Sequence, residues 1–297
     1  MSAAGTASLA HQDKLVSHRL RGFGRYENSR TSLEGACAST VPYLEIDTRV
    51  AADGGIFVYH DPRASAPLSI RGYLALTPGR EVRRARYPSG ESMLEFEEAI
   101  EIFSRQSRRS QRLCVDMKDV GFEDAHLEIV ERYGVADRVC WISWVPRSLR
   151  RLRDLGARGA LILAHCNLTR LASFGRWIES ACAHRAIRLS HLVLFGAARE
   201  HSLLRARAHG FQHGLLAARM PPALEQLLAE SGGGICVNRL LVNEQLLHYC
   251  RAAGLQLWVF RAKSAVAYRR YAALGDVNLV FCDDAPAVLS FSPTTPR

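Results

Sequence analysis

Short apolar runs rich in β-branched residues alternate with longer stretches of helical period along the whole chain, and this alternation restricts the fold more than any other feature. Strand-like runs occupy residues 15–19, 43–50, 112–118, 138–144, 160–165, 191–195, 235–238, 256–260 and 277–282. Helix-like segments fall between them, such as 92–106, where Ser92 and Glu95 have capping-box spacing, and 243–253, closed by Gly254. Strands separated by helix-length crossovers pair in parallel, so an α/β protein is predicted. About eight such units in 297 residues match a (β/α)8 TIM barrel, and one barrel uses nearly the whole chain, so residues 1–297 read as a single domain. A doubly wound open sheet is the alternative, because periodicity does not tell whether a sheet closes.

One stretch breaks the rhythm. Residues 62–91 hold Pro67, Gly72, Pro78, Gly79, Pro88 and Gly90 with no clear period, and read as a short insertion after the second barrel strand region. Arg63, Arg71, Arg80, Arg83, Arg84 and Arg86 stand there against Glu81 and Glu91, which concentrates positive charge in the insertion. Two readings stay open: a solvated surface loop, or a basic lid over an anionic site. The whole chain carries 39 basic against 29 acidic residues, a net +10 that suits an anionic partner. Only Lys14, Lys118 and Lys263 among the basic residues are lysine, so a lysine here marks a place where a compact point charge is wanted. Lys263, just past a strand, reads as a surface residue.

Several classes are excluded. No apolar run approaches the ~18 residues of a membrane helix, and the opening MSAAGTASLAHQDK lacks signal-peptide order, so a cytoplasmic protein with no transmembrane segment is expected. Eight scattered cysteines without a CxxC pair read as buried thiols, not as disulfides or a zinc site. Arginines spread along the chain without aromatic interleaving argue against a nucleic-acid partner.

Four motifs lie at the ends of candidate strands, where a barrel gathers them on one face. Ser17-His18-Arg19 comes first, followed by Gly22, Gly24 and Glu27-Asn28-Ser29. In YLEIDTRV, Glu45 and Asp47 stand at i, i+2 and so share one side of a strand. Two acids aimed at a core repel each other unless protonated or bridged, and a hard divalent cation is the natural bridge. The turn at Asp53-Gly54 leads to Tyr59-His60-Asp61, and Asp116-Met117-Lys118 sets a carboxylate and an ammonium side by side. Two histidines, three acids, an arginine and a lysine at successive strand ends are the groups that metal-assisted phosphoryl chemistry needs. His165, His184, His191, His201, His209, His213 and His248 have no matching carboxylate pattern and read as surface, cap or core residues.

These motifs together resemble the glycerophosphodiester phosphodiesterase family, TIM-barrel phosphodiesterases of the phospholipase C-like type. HRL-x-GFG-x-x-ENS, LEIDTRVAADGGIFVYHD and VDMK resemble the family's HRG, ENT, E-x-D, D-G, HD and E-x-K pattern. GESMLEFEEAI resembles the segment opening the helix after the family's own insertion, and AAGLQLWVFRA and FCDDAPAVL resemble its last W-T-V-N strand and closing T-D-x-P. The match runs over about residues 15–290 and is strongest over 15–61. The resemblance implies a barrel, a small anionic phosphodiester substrate and one divalent cation, Mg2+ or Ca2+, held by Glu45, Asp47 and Asp116. It implies His18 and His60 as the general acid/base pair and Arg19 and Lys118 as phosphate contacts. It also gives Glu27 a supporting role toward the metal or His18, and Trp258 the floor of the substrate pocket. The implied activity is hydrolysis of a glycerophosphodiester to glycerol phosphate and an alcohol, a step of lipid metabolism.

The chain departs from that pattern at several points. Leu20 replaces the glycine of HRG, Asp116 stands where the family usually has the longer Glu, and the R-T-T that often follows HD is absent. W-T-V-N reads Trp258-Val259-Phe260-Arg261, losing a polar rim and gaining an arginine. An Asp-x-Lys also resembles the sphingomyelinase D type phospholipases on the same barrel. A sugar phosphodiester, phospholipase D-like action on a lysophospholipid, and a non-catalytic phosphodiester-binding barrel are therefore the alternatives.

Overall fold

The computed structural model describes residues 11–168, 170–171, 215–217 and 219–290. Eight strands form the barrel: β1 (Leu15–Ser17), β2 (Tyr43–Val50), β3 (Arg112–Met117), β4 (Val139–Ser143), β5 (Leu161–Ala164), β6 (Gly234–Asn238), β7 (Gln256–Ala262) and β8 (Leu279–Cys282). Each is paired in parallel with the next, and β1 pairs with both β2 and β8, so the sheet closes and the open-sheet alternative is removed. The candidate strand at 191–195 lies outside the described residues; β5 pairs directly with β6, and the barrel closes without it.

Alternation along the strands sorts the side chains into two cores. Leu44, Ile46, Leu113, Val115, Leu163, Ile235 and Val237 face outward and pack under the helices. Val16, Cys114, Ile142, Ile162, Cys236, Trp258 and Phe281 face inward and fill the barrel. The outer layer includes α1 (Arg30–Ala38), α2 (Phe96–Gln106), α3 (Glu123–Arg132), α4 (Pro146–Asp154), α5 (Pro222–Glu230), α6 (Glu244–Ala252), α7 (Ala265–Ala272) and α8 (Ala285–Leu289). Asn243 caps α6, accepting from Leu246 N. The capping box predicted at Ser92 does not form: α2 starts four residues later because Ser92 and Glu95 are held in β-bridges with Arg86 and Phe57. The seven described cysteines are free and buried, as read from the sequence, and Cys182 lies outside the described residues.

After β2 the chain reverses through Asp53-Gly54 and returns as a short antiparallel strand, Ile56–Val58, with Thr48 opposite Val58. Gly54 has φ +90, a conformation that L side chains rarely adopt, so the turn depends on glycine here. Residues 62–91 then build a small core of their own from Ala64, Leu68, Leu74, Val82, Ala85 and Tyr87 against Phe57. Its six arginines are exposed. Arg83 pairs with Glu95, Arg71 and Arg86 donate to carbonyls of their own segment, and Arg63 lies over the Tyr73 ring, so these four serve local structure. No helix among the described residues is long and apolar enough to cross a membrane.

Candidate active site

The site sits at the C-terminal ends of the strands. Register builds its centre: Asp47 on β2 stands directly opposite Asp116 on β3, with Glu45 one inward position below Asp47. Oxygens of Glu45, Asp47 and Asp116 all lie within 4.8 Å of one another, so the shorter Asp116 still reaches the cluster. Glu45 and Asp47 are each only 1% exposed, so bulk solvent screens their repulsion little. Burial, with Asp47 and Asp116 adding, therefore pushes the Glu45 carboxyl well above its ordinary range. Burial also acts to raise Asp47, but Lys118, His60 and Arg19 outweigh it and hold Asp47 well below its ordinary range. Oδ1 of Asp116 is buried without a hydrogen bond. Converging carboxylate oxygens, one of them orphaned and one carboxyl pushed toward protonation, are the donor set a hard divalent cation satisfies.

Cations surround this cluster. Lys118 Nζ lies 2.8 Å from Asp47 Oδ1 and also binds Asp116. Arg19 Nε lies 3.4 Å from Asp47 Oδ2, and the backbone N–H of Arg19 donates to Glu45 Oε2 at 2.7 Å. That donation requires a turn after Ser17, where Arg19 and Leu20 both take left-handed backbone, φ 56 and 58. β1 thus ends two residues before the predicted boundary. Leu20 keeps the left-handed geometry without glycine, at a cost of roughly 1–2 kcal/mol. Its fully buried side chain contributes about 1.5–3 kcal/mol in return.

The hairpin explains how His60 reaches a centre 13 residues back in the chain: Tyr59 N donates to Asp47 O at 3.0 Å, which sets His60 beside Asp47. His60 Nδ1 lies 2.7 Å from Asp61 Oδ1, and His18 Nδ1 lies 2.5 Å from Asp283 Oδ1. Burial lowers both imidazoles below 6.5; their carboxylate partners oppose the shift, while Arg19 reinforces it at both and Lys118 at His60.

The structure thus brings His18, His60, Arg19, Lys118, Glu45, Asp47 and Asp116 together. Two predicted positions differ in detail. Glu27 holds Arg19 Nη1 at 3.2 Å and Arg21 Nε at 2.5 Å, so it braces the guanidinium groups instead of His18 or the carboxylate cluster. Trp258 is 1% exposed within the inner core, its indole N–H turned back to Gln256 Oε1 at 2.7 Å. The aromatic residue nearer the mouth on that strand is Phe260, whose ring meets His165 edge-on at 4.9 Å.

Sequence reading missed several groups. Asn28, left-handed at φ 53, donates to Asp47 Oδ2 at 2.8 Å and orients that carboxylate; its place inside ENS was the available signal. Asp283 lies in a quoted motif, yet nothing local pairs it with a histidine 265 residues earlier. The buried pair Arg49–Asp119 ties β2 to the β3 loop, and Arg49 Nε also donates to His60 O at 2.8 Å. His165 lies just past β5, and burial, with Lys118, His60, Arg19 and Arg261 adding, pushes its imidazole down to about 3. No carboxylate pattern in the sequence marks it. His248 is exposed, and His184, His191, His201, His209 and His213 lie outside the described residues.

The chain is thus a closed barrel with a carboxylate cluster, a lysine and two carboxylate-backed histidines at its mouth. In fold the chain is similar to a phosphodiesterase of Oleispira antarctica solved with the product sn-glycerol-3-phosphate, with TM-score 0.66, 19% identity, and 93% of this chain and 95% of that one covered. In sequence it is 27% identical over 144 residues to the "Probable glycerophosphodiester phosphodiesterase 2" of Mycobacterium tuberculosis, covering 47% of this chain and 53% of that protein. It is also 25% identical over 135 residues to the uncharacterized protein YqiK of Bacillus subtilis, 42% of this chain and 56% of that protein. The chain thus spans little more than half the length of these two relatives. No family model matches it.

Proposed function

We propose that this protein is a metal-dependent phosphodiesterase that hydrolyses a small glycerophosphodiester to glycerol phosphate and an alcohol. The observation that carries the reading is the convergence of Glu45, Asp47 and Asp116 on one point between Lys118, Arg19 and the two histidines. These three carboxylates would hold one Mg2+ or Ca2+, which offsets charge on the phosphoryl oxygens when bound. Arg19 and Lys118 orient the phosphate and share that role. His18 and His60 form the acid/base pair. A carboxylate at each Nδ1 favours the tautomer protonated there and assigns Nε2 the proton transfer. One imidazole takes a proton from the attacking water, or from a substrate hydroxyl whose cyclic product water then opens, and the other gives a proton to the departing alkoxide, which is a poor leaving group at neutral pH.

A small substrate is supported by the scarcity of apolar surface: among the described residues only Leu76 and Val266 are large hydrophobics that stand exposed. The product held by the Oleispira protein, sn-glycerol-3-phosphate, is of the class proposed here. Buried free thiols fit a cytoplasmic setting. The test is a metal-supplemented screen of glycerophosphocholine, glycerophosphoglycerol, sugar phosphodiesters and lysophospholipids with a chelator control. Metal-dependent release of glycerol phosphate from the glycerophosphodiesters supports the reading, and turnover confined to lysophospholipid overturns it.

A further inference from the structure

The end of β7 is irregular in a way that re-aims one side chain. β7 runs beside β8 with Val259 opposite Val280 and Ala262 opposite Cys282, so three steps on one strand match two on the other. This is a β-bulge with one extra residue. Val259 and Ala262 both pack in the outer core. Strict alternation would have turned Arg261 outward with Val259; the bulge instead leaves both Phe260 and Arg261 on the side of the barrel mouth. Arg261 pays for this position with left-handed backbone, φ 77.

A second arginine stands beside it. Asn238 on β6 is the register partner of Phe260 on β7, so Arg239, just past β6, and Arg261, near the end of β7, stand on neighbouring parallel strands. Both are half-buried. Among the described residues neither guanidinium has a hydrogen bond or ion pair. The acid whose charge acts on Arg261 is Asp283, which already serves His18 at 2.5 Å and Arg21 at 2.9 Å. The positive charges of Arg239 and Arg19 also act on Arg261, and among the described residues no acid pairs with Arg239 or Arg261. Such a group is unfavourable until an anion joins it.

We propose that Arg239 and Arg261 form a second anion subsite, which reads a phosphate or carboxylate on the alcohol portion of the substrate. The inference rests on the phosphodiesterase reading above and narrows its substrate class to diesters whose alcohol carries a further negative charge. The planar guanidinium pair suits either group through paired N–H donors.

Three diesters of glycerol phosphate test it, with ethanol, glycolate or 2-phosphoethanol as the alcohol. The metal-loaded wild type should favour the two charged diesters over the ethanol ester by at least about tenfold in kcat/KM, and the preferred one identifies the group read. Arg239→Gln and Arg261→Gln should each reduce that ratio about tenfold through KM, and Arg261→Lys should retain part of it. Equal ratios in wild type and variants overturn the subsite. Calorimetric binding of ethylene glycol bisphosphate against its monophosphate reads the subsite without turnover. Tighter binding of the bisphosphate, lost in the double Gln variant, with no diester hydrolysed overturns the catalytic reading alone. Equal affinities overturn the subsite itself.

Discussion

Asp283 Oδ1 lies 2.5 Å from His18 Nδ1, across the seam where β8 meets β1 and closes the barrel. The carboxylate fixes the orientation of the imidazole and is itself held below its ordinary range: burial opposes this, but the His18 bond and Arg21 prevail. Asp283→Asn should lower kcat/KM by about 10²-fold and His18→Ala by about 10²–10⁴-fold. Steady-state kinetics on a generic aryl phosphodiester checks both, and near wild-type rates in His18→Ala would remove this histidine from the acid/base pair.

The pH profile follows from the same contact. Burial lowers His18 and His60, so each stays neutral further into acid than a free imidazole. The acid limb of kcat/KM, set by the histidine that must be unprotonated, should therefore fall below pH 6.5. Asp283 acts to raise His18, so Asp283→Asn should move a limb set by His18 to still lower pH. A limb at or above 6.5 would contradict the assignment.

The proposed metal dependence has a readout apart from activity. A divalent ion bound only to the folded state raises stability by about 2.7 kcal/mol at a hundredfold excess over its Kd. Mg2+ or Ca2+ should raise the melting temperature of wild type, and chelation should abolish hydrolysis. In Asp116→Ala both responses should weaken strongly; an unchanged metal-induced shift would place the ion elsewhere.

Asn28 binds Asp47 Oδ2 at 2.8 Å and receives the Asp47 backbone N–H on its own Oδ1 at 3.3 Å. Asn28→Ala should weaken metal affinity by about 10–100-fold, the usual effect of removing a group that orients a ligand. Titration of the metal by calorimetry measures it, and Asn28→Asp, which puts a fourth carboxylate beside Asp47, should not restore wild-type affinity.

Leu20 sets strain against burial. Leu20→Gly should be destabilising, because the lost core contacts exceed the relief of the left-handed backbone, but by about 1–2 kcal/mol rather than the 2–5 kcal/mol of an ordinary buried leucine truncation. Urea denaturation gives the value, and a loss above about 4 kcal/mol would mean that the φ of 58 carries little strain.

By itself the sequence determined the alternating elements, the inward pairing of Glu45 with Asp47 and of Asp116 with Lys118, and the grouping of histidines, acids and cations at strand ends. These depend on periods of two and 3.6 residues, which are local properties of the chain. Tertiary structure decided what depends on register and closure: Asp47 opposite Asp116, His60 returned to the centre by the hairpin, and Asp283 joined to His18 across the seam. It also decided the bulge that turns Arg261 to the mouth, since only pairing with β8 reveals the extra residue. Contacts between residues far apart in sequence form when strands are fixed side by side, and no local pattern encodes which residues will then face each other.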